Sequence, residues 1–253
     1  MKTDHLRRIA GLFAAALTLA LPMTSWGNLA EAEAAYEKGE YYPAFRAFVP
    51  VAKEGNPVAQ AALGRIYLDG QGAPKDARAA VAWYERAAEQ GHACAQFQLA
   101  KLVGSGIGAP ADVARAAQWM EKSASQDVVW SMHALGQMYR DGTGLAKDNV
   151  RAYTWLELAA TYPPSAITAE YIALAKTART ELERAMSADQ VREAQKRAGE
   201  WRASKRPRDD QWQKTINRPA SLQVAGEGGK SGNVSDQKPT ESSPLTRDYF
   251  PKT

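Results

Sequence analysis

The chain has almost no cysteine: Cys94 is alone among 253 residues. An intramolecular disulfide is therefore excluded, and stability has to come from side-chain packing. Histidine is almost as sparse. His5 lies in the N-terminal stretch, His92 falls between two repeated segments, and His133 has no cysteine or carboxylate at ligand spacing, so no metal site is legible. Neither is a nucleophile paired with a base, which leaves catalysis without a candidate residue. Asp69-Gly70-Gln71-Gly72 and Asp141-Gly142-Thr143-Gly144 lack the further carboxylates of a calcium loop. Gly226-Glu227-Gly228-Gly229-Lys230-Ser231 lacks the spacing and flanking elements of a phosphate loop. No cofactor is expected.

Charge of one sign is also missing. The formal net charge is +4, of which Lys2, Asp4, Arg7 and Arg8 contribute +2 and residues 205–253 a further +3, which leaves the body at −1. A nucleic-acid partner is disfavoured on that ground. The mildly basic tail reads as a solvated linker. Long apolar runs are absent too: the uncharged stretch Ile9–Leu21 has 13 residues, against roughly 20 for a bilayer-spanning helix. Basic residues before it, Pro22 after it and the small residues at Ser25 and Gly27 instead form the layout of a signal peptide. Cleavage after Gly27 makes residues 1–27 the leader, and Ala30 with Ala32 mark an alternative site. No cysteine follows the apolar run, which argues against a lipid anchor. The expected location is periplasmic or secreted, with no stable membrane span after cleavage.

What the chain does have is a period. Ala59-x3-Leu63-Gly64-x2-Tyr67-x2-Gly70-x-Gly72 recurs as Ala95-x3-Leu99-Ala100-x2-Val103-x2-Gly106-x-Gly108 and as Ser131-x3-Leu135-Gly136-x2-Tyr139-x2-Gly142-x-Gly144. Asp76, Asp112 and Asp148 follow, then Ala80, Ala116 and Ala152, then Trp83, Trp119 and Trp155, each 36 residues apart. A period of this length marks a solenoid, whose unit buries its apolar face only by stacking on its neighbours. Leu63, Gly64 and Tyr67 share one face of a first helix, and the glycine lets the next helix approach. The paired glycines end that helix, the aspartate caps a second, and Ala80, Trp83 or Tyr84, and Ala87 form its apolar stripe. The repeating tryptophans are assigned to the core.

These residues resemble Sel1-like repeats, a branch of the tetratricopeptide-type helical repeats, over residues 56–163. Ala100 and Val103 depart from the pattern in the middle copy. The resemblance implies an all-α fold: a right-handed superhelical solenoid of stacked antiparallel helix hairpins. Residues 28–55, around Tyr36-Glu37-Lys38-Gly39-Glu40-Tyr41-Tyr42, resemble the shorter hairpin that opens such arrays. Residues 164–204 are expected to close it with capping helices. In one, Ile167, Tyr171, Leu174, Ala178, Leu182 and Ala185 make the stripe; in the other, Ser187 and Gln190 form a capping box ahead of Val191, Ala194, Ala198 and Trp201. Residues 205–253 lose all periodicity and are expected to be disordered.

The resemblance also implies a function class. Relatives that act as exported adaptors point to a non-enzymatic scaffold of the bacterial cell envelope. Its protein or peptide partner would lie on the concave face formed by the first helices. A subgroup linked to β-lactam hydrolysis staples each hairpin with paired cysteines; this chain has none, so that activity is not carried over. Mapped onto the chain, the exposed first-helix positions are Val58, Ala61, Arg65 and Asp69; then Cys94, Phe97 and Lys101; then Trp130, His133, Gln137 and Arg140. The expected partner-binding set is Arg65, Asp69, Phe97, Lys101, Trp130, His133, Gln137 and Arg140, since aromatics and arginine dominate interface energy. Packing of Phe97 and Trp130 between repeats is the competing reading. A carbohydrate-binding or envelope-structural module remains the alternative function, and a cell-wall or β-lactam-directed hydrolase the remotest.

Overall fold

The computed structural model describes residues 24–205, with side chains from Leu29 onward. The described residues form ten helices and no strands. They run α1 Thr24–Glu37, α2 Tyr41–Lys53, α3 Pro57–Asp69, α4 Ala77–Glu89, α5 Ala93–Ser105, α6 Val113–Ala124, α7 Val129–Asp141, α8 Asn149–Ala160, α9 Ala169–Glu183 and α10 Ala188–Ser204. From α1 to α9 each packs on the next as antiparallel hairpins, α10 packs on α8, and the hairpins stack into a solenoid. The expected leader and tail lie outside the described residues. Two edges of them are described: residues 24–27 begin α1, and Lys205 is the C-cap of α10.

The repeat unit forms for the reasons its residues suggest. Gly70, Gly106 and Gly142 end the first helices with φ of 77°, 70° and 73°, a conformation that costs glycine little. Asp76, Asp112 and Asp148 each accept backbone N–H bonds that open the second helix. At Gly64 a Cβ would lie 2.9 Å from the Tyr84 ring, and at Gly136 2.7 Å from Leu156 Cγ, so both glycines are required by the helix approach. The middle copy has Ala100 at this position. It is fully buried, and the residue one period on from Tyr84 is Met120, unbranched and able to yield.

Stacking has its own signature. A side chain at Gly72, Gly108 or Gly144 would run into the first carbonyl of the preceding second helix, at Tyr41, Ala77 or Val113 respectively. Those three residues, and Asn149, open α2, α4, α6 and α8 at 36-residue intervals. The α1–α2 hairpin is therefore a stacking unit in register with the others, shortened only in its inner turn. A buried polar ladder adds to this. Gln60 donates to the Ala52 carbonyl at 3.1 Å and Gln96 to Ala88 at 3.0 Å; Gln90 then donates to Gln60, and Gln126 to Gln96. In the third copy Met132 takes the glutamine position, and Ser123 and Ser131 hydrogen-bond each other instead.

The core differs from the expectation at two places. The tryptophans are not its deepest aromatics: Trp83 and Trp155 are half-buried and Trp119 is 9% exposed, whereas Tyr84 and Leu156, one residue further on, are fully buried. A second helix packs against its own first helix and against the first helix of the next unit, so its buried stripe spans two adjacent positions and the tryptophan takes the rim. Arg86 lies over Trp83 at 4.5 Å and Lys122 over Trp119 at 4.0 Å, shielding the outer ring faces. In α9 the buried residues are Ile172, Ala175, Ala178 and Leu182, while Leu174 is 44% exposed. The stripe is rotated because α9 packs on both α8 and α7, taking the place of a further first helix.

α10 matches the expected pattern, with the Ser187–Gln190 capping box formed and Ala194 and Ala198 buried against α8. Trp201 meets Trp155 edge-on at 5.1 Å. Its C-cap residue, Lys205, pairs with Asp127 at 3.6 Å and hydrogen-bonds the Ser125 carbonyl. Asp127 has φ 62° where Gly91 and Gly55 stand one and two periods earlier.

Candidate interaction face

The first helices α3, α5 and α7 place equivalent residues in columns 36 apart: Val58, Cys94 and Trp130; Ala61, Phe97 and His133; Arg65, Lys101 and Gln137. The middle column is not exposed as expected. Ala61, Phe97 and His133 are 2%, 4% and 8% exposed, because each faces the gap to the next first helix. They form the floor of the face. Trp130, Lys101, Gln137, Arg65 and Arg140 are half-buried at its rim, and Asp69 is exposed.

The floor and rim are joined by ring contacts. Phe97 meets Trp130 at 6.1 Å and 68°, Trp130 meets Tyr171 at 6.4 Å and 61°, and His133 meets Tyr171 at 6.0 Å. The row is edge-to-face throughout, so it presents ridges rather than a flat platform. Tyr171 was absent from the expected set. It belongs to α9, outside the repeats, and only the packing of α9 on α7 brings it to this face; its helical spacing marks it for the apolar stripe of a capping helix, and no repeat position marks it for this face.

The cations divide into paired and unpaired. Arg65 donates to Asp69 one turn later. Arg140 makes a two-toothed contact with Asp141 at 2.7 and 2.9 Å, which lowers the Asp141 carboxyl and raises the guanidinium. Lys101 has no carboxylate partner among the described residues. Its ammonium lies over the Phe97 ring at 5.5 Å, and burial, with the Arg65 charge nearby, pushes its pKa down. His133 is likewise pushed down, first by burial and then by Arg140, so it is neutral at pH 7. Cys94 is half-buried, and burial pushes its thiol up to about 11, which makes it a poor nucleophile. His92 serves as the N-cap of α5, accepting from the Ala95 N–H at 3.1 Å, and burial lowers it to about 4. No cluster of three or more metal-ligating side chains occurs among the described residues. The face offers donors, one unpaired cation and ring edges, a chemistry of recognition.

The fold and this face define a helical-hairpin solenoid of the kind that holds other proteins. Residues 57–92, 95–128 and 131–161 each match the Sel1 repeat, so the chain carries three consecutive Sel1 repeats. Two solved structures are similar. One is c5321, a protective antigen of uropathogenic Escherichia coli strains with an SLR fold, at 28% identity and a TM-score of 0.63 over 83% of this chain; the chain spans 43% of that protein. The other is a Sel1 repeat protein from Oxalobacter formigenes, at 26% identity and a TM-score of 0.54, covering 70% of this chain and 76% of that one. No curated protein matches. Sel1 repeats generally mediate protein interactions and are typically non-catalytic. No described helix is long and apolar enough to cross a membrane.

Proposed function

We propose that this protein is a non-enzymatic scaffold of the bacterial cell envelope, periplasmic or secreted, that holds a peptide segment of a partner protein against the first-helix face. The observation that carries the reading is Lys101, a half-buried cation without a carboxylate, set beside the Phe97–Trp130–Tyr171 row. An uncompensated charge in a partly desolvated position costs folding free energy, and a binding role accounts for its presence. Edge-to-face rings mixed with donors suit a peptide better than the flat aromatic surface a sugar ring stacks on. The export reading rests on the basic residues, short apolar run and small residues before Asn28. Leu29 and Ala32 are buried in the first hairpin, so cleavage after Gly27 leaves the packed part of α1 intact, whereas cleavage after Ala32 removes both.

Crosslinking in the exported compartment followed by mass spectrometry tests the scaffold. A specific adduct with the parent chain that is lost in Lys101→Ala, Arg140→Ala is expected. Undiminished capture by that variant, with an unchanged melting curve, would exclude this face. N-terminal sequencing of the exported protein should begin at Asn28, and an intact Met1 in the membrane fraction would overturn the cleaved leader.

A further inference from the structure

Lys101 and Arg65 stand at equivalent positions of adjacent first helices, and the charge on Arg65 acts on Lys101 directly. Arg65 has Asp69 as a counter-charge; Lys101 has none among the described residues. Two neighbouring cations with one carboxylate between them leave a place for a second carboxylate. The ring row begins at Phe97 under the Lys101 ammonium and continues through Trp130 to Tyr171, so an anion placed at Lys101 would have aromatic edges beside it. The ligand that fits is a peptide carboxylate followed directly by aromatic side chains.

The chain itself carries such a segment. Residues 206–253 contain three aromatics, Trp212, Tyr249 and Phe250, and only Tyr249 directly follows an acidic residue, in Asp248-Tyr249-Phe250. The chain leaves the body at Lys205, which is fastened to Ser125 and Asp127, just ahead of the turn into α7 and Trp130. For 42 residues between Lys205 and Asp248, a linker rich in Gly, Ser and Pro has a root-mean-square reach of roughly 35 Å. That reach corresponds to a local concentration on the order of a millimolar. An intrinsic dissociation constant of about 0.1 mM would then keep the site about nine-tenths filled.

We propose that Arg65, Lys101 and the Phe97–Trp130–Tyr171 row form a site for a carboxylate followed by aromatic residues, and that Asp248-Tyr249-Phe250 of the same chain is its resting occupant. The inference rests on the scaffold reading and adds that a partner segment binds by displacing this one. Partner engagement is thereby thresholded: a segment of the same chemistry has to outcompete a tethered copy.

The test uses the full chain and a synthetic N-acetylated peptide with the sequence of residues 244–253. Titration followed by calorimetry should show the peptide binding the Tyr249→Ser, Phe250→Ser chain about tenfold more tightly than the parent chain, whose own segment competes. Adding Lys101→Gln to that variant should weaken binding at least tenfold with the melting temperature unchanged. Trp212→Ser in the parent should leave the peptide affinity where it was. Equal affinity of parent and variant, no binding to either, or binding indifferent to Lys101→Gln overturns the proposal. If the peptide fails while partner capture in cells still depends on Lys101, the scaffold reading stands and only the tethered occupant falls.

Discussion

The first and second repeats share a backbone and divide its uses. In the first, the face residues are small or self-satisfied: Val58, Ala61 and an Arg65 paired with Asp69, while the interior is locked by Gly64 against the Tyr84 ring. In the second, that lock is loosened to Ala100 and Met120, and the face carries Cys94, Phe97 and the unpaired Lys101. The copy that departs most from the repeat pattern inside is the one that presents distinctive chemistry outside. A solenoid permits this because each unit's stability is supported by its neighbours, so one loosely specified repeat is held by two tightly specified ones.

The largest effect expected from this contrast is at Tyr84. Removing a fully buried ring should cost about 3–5 kcal/mol in Tyr84→Ala, measured by urea unfolding. A loss below about 1 kcal/mol, typical of exposed sites, would erase the claim that the first repeat is a structural lock. Next comes Gly64→Ala, which forces a methyl against that ring and should cost about 1–3 kcal/mol. Ala100→Gly in the second repeat removes only helix preference and a small side chain, about 1 kcal/mol. Equal costs at the two sites would abolish the distinction between them.

A pH dependence separates the first hairpin from the start of the second repeat. Burial lowers the His92 pKa to about 4, and the neutral ring accepts the cap bond from the Ala95 N–H. The unfolded chain, near 6.5, takes up the proton first, so stability contributed here is lost as pH falls from about 6.5 to 4. Glu33 runs the other way. Burial, and secondarily Glu37, raises its pKa to about 7, so the folded state favours the protonated carboxyl and loses stability as pH rises from about 4.5 to 7. His92→Asn should flatten the acid side of the stability profile and Glu33→Gln the neutral side; an unaltered profile in either variant would show that the group is not desolvated. The smallest stability effect, within about 0.5 kcal/mol, belongs to Lys101→Gln, whose consequence should appear in binding alone.

The helices, caps and turns were legible because spacing encodes them: the glycine pairs, the aspartate caps and the Ser187–Gln190 box all stand where the pattern places them. Depth was less legible. Trp83 and Tyr84 are adjacent and both apolar, and only the arrangement of neighbouring helices decides which is buried. The same ambiguity exchanged Leu174 for Ile172. Gln60 and Gln96 escaped notice because glutamine is read as surface, although its recurrence inside an apolar helix one period apart was available as a signal. Tyr171 had no such signal, since it joins the face through the packing of a helix that belongs to no repeat.

The glycine abutting the first carbonyl of the preceding second helix recurs at Gly72, Gly108 and Gly144. It makes the length of the array a quantised property. An insertion inside the stacked part that is not a whole period moves some other residue against that carbonyl, where any side chain collides. Whole-unit duplication or deletion leaves every glycine in place. Such an array is expected to lengthen and shorten in steps of 36 residues, and its reach along a partner changes in the same discrete steps.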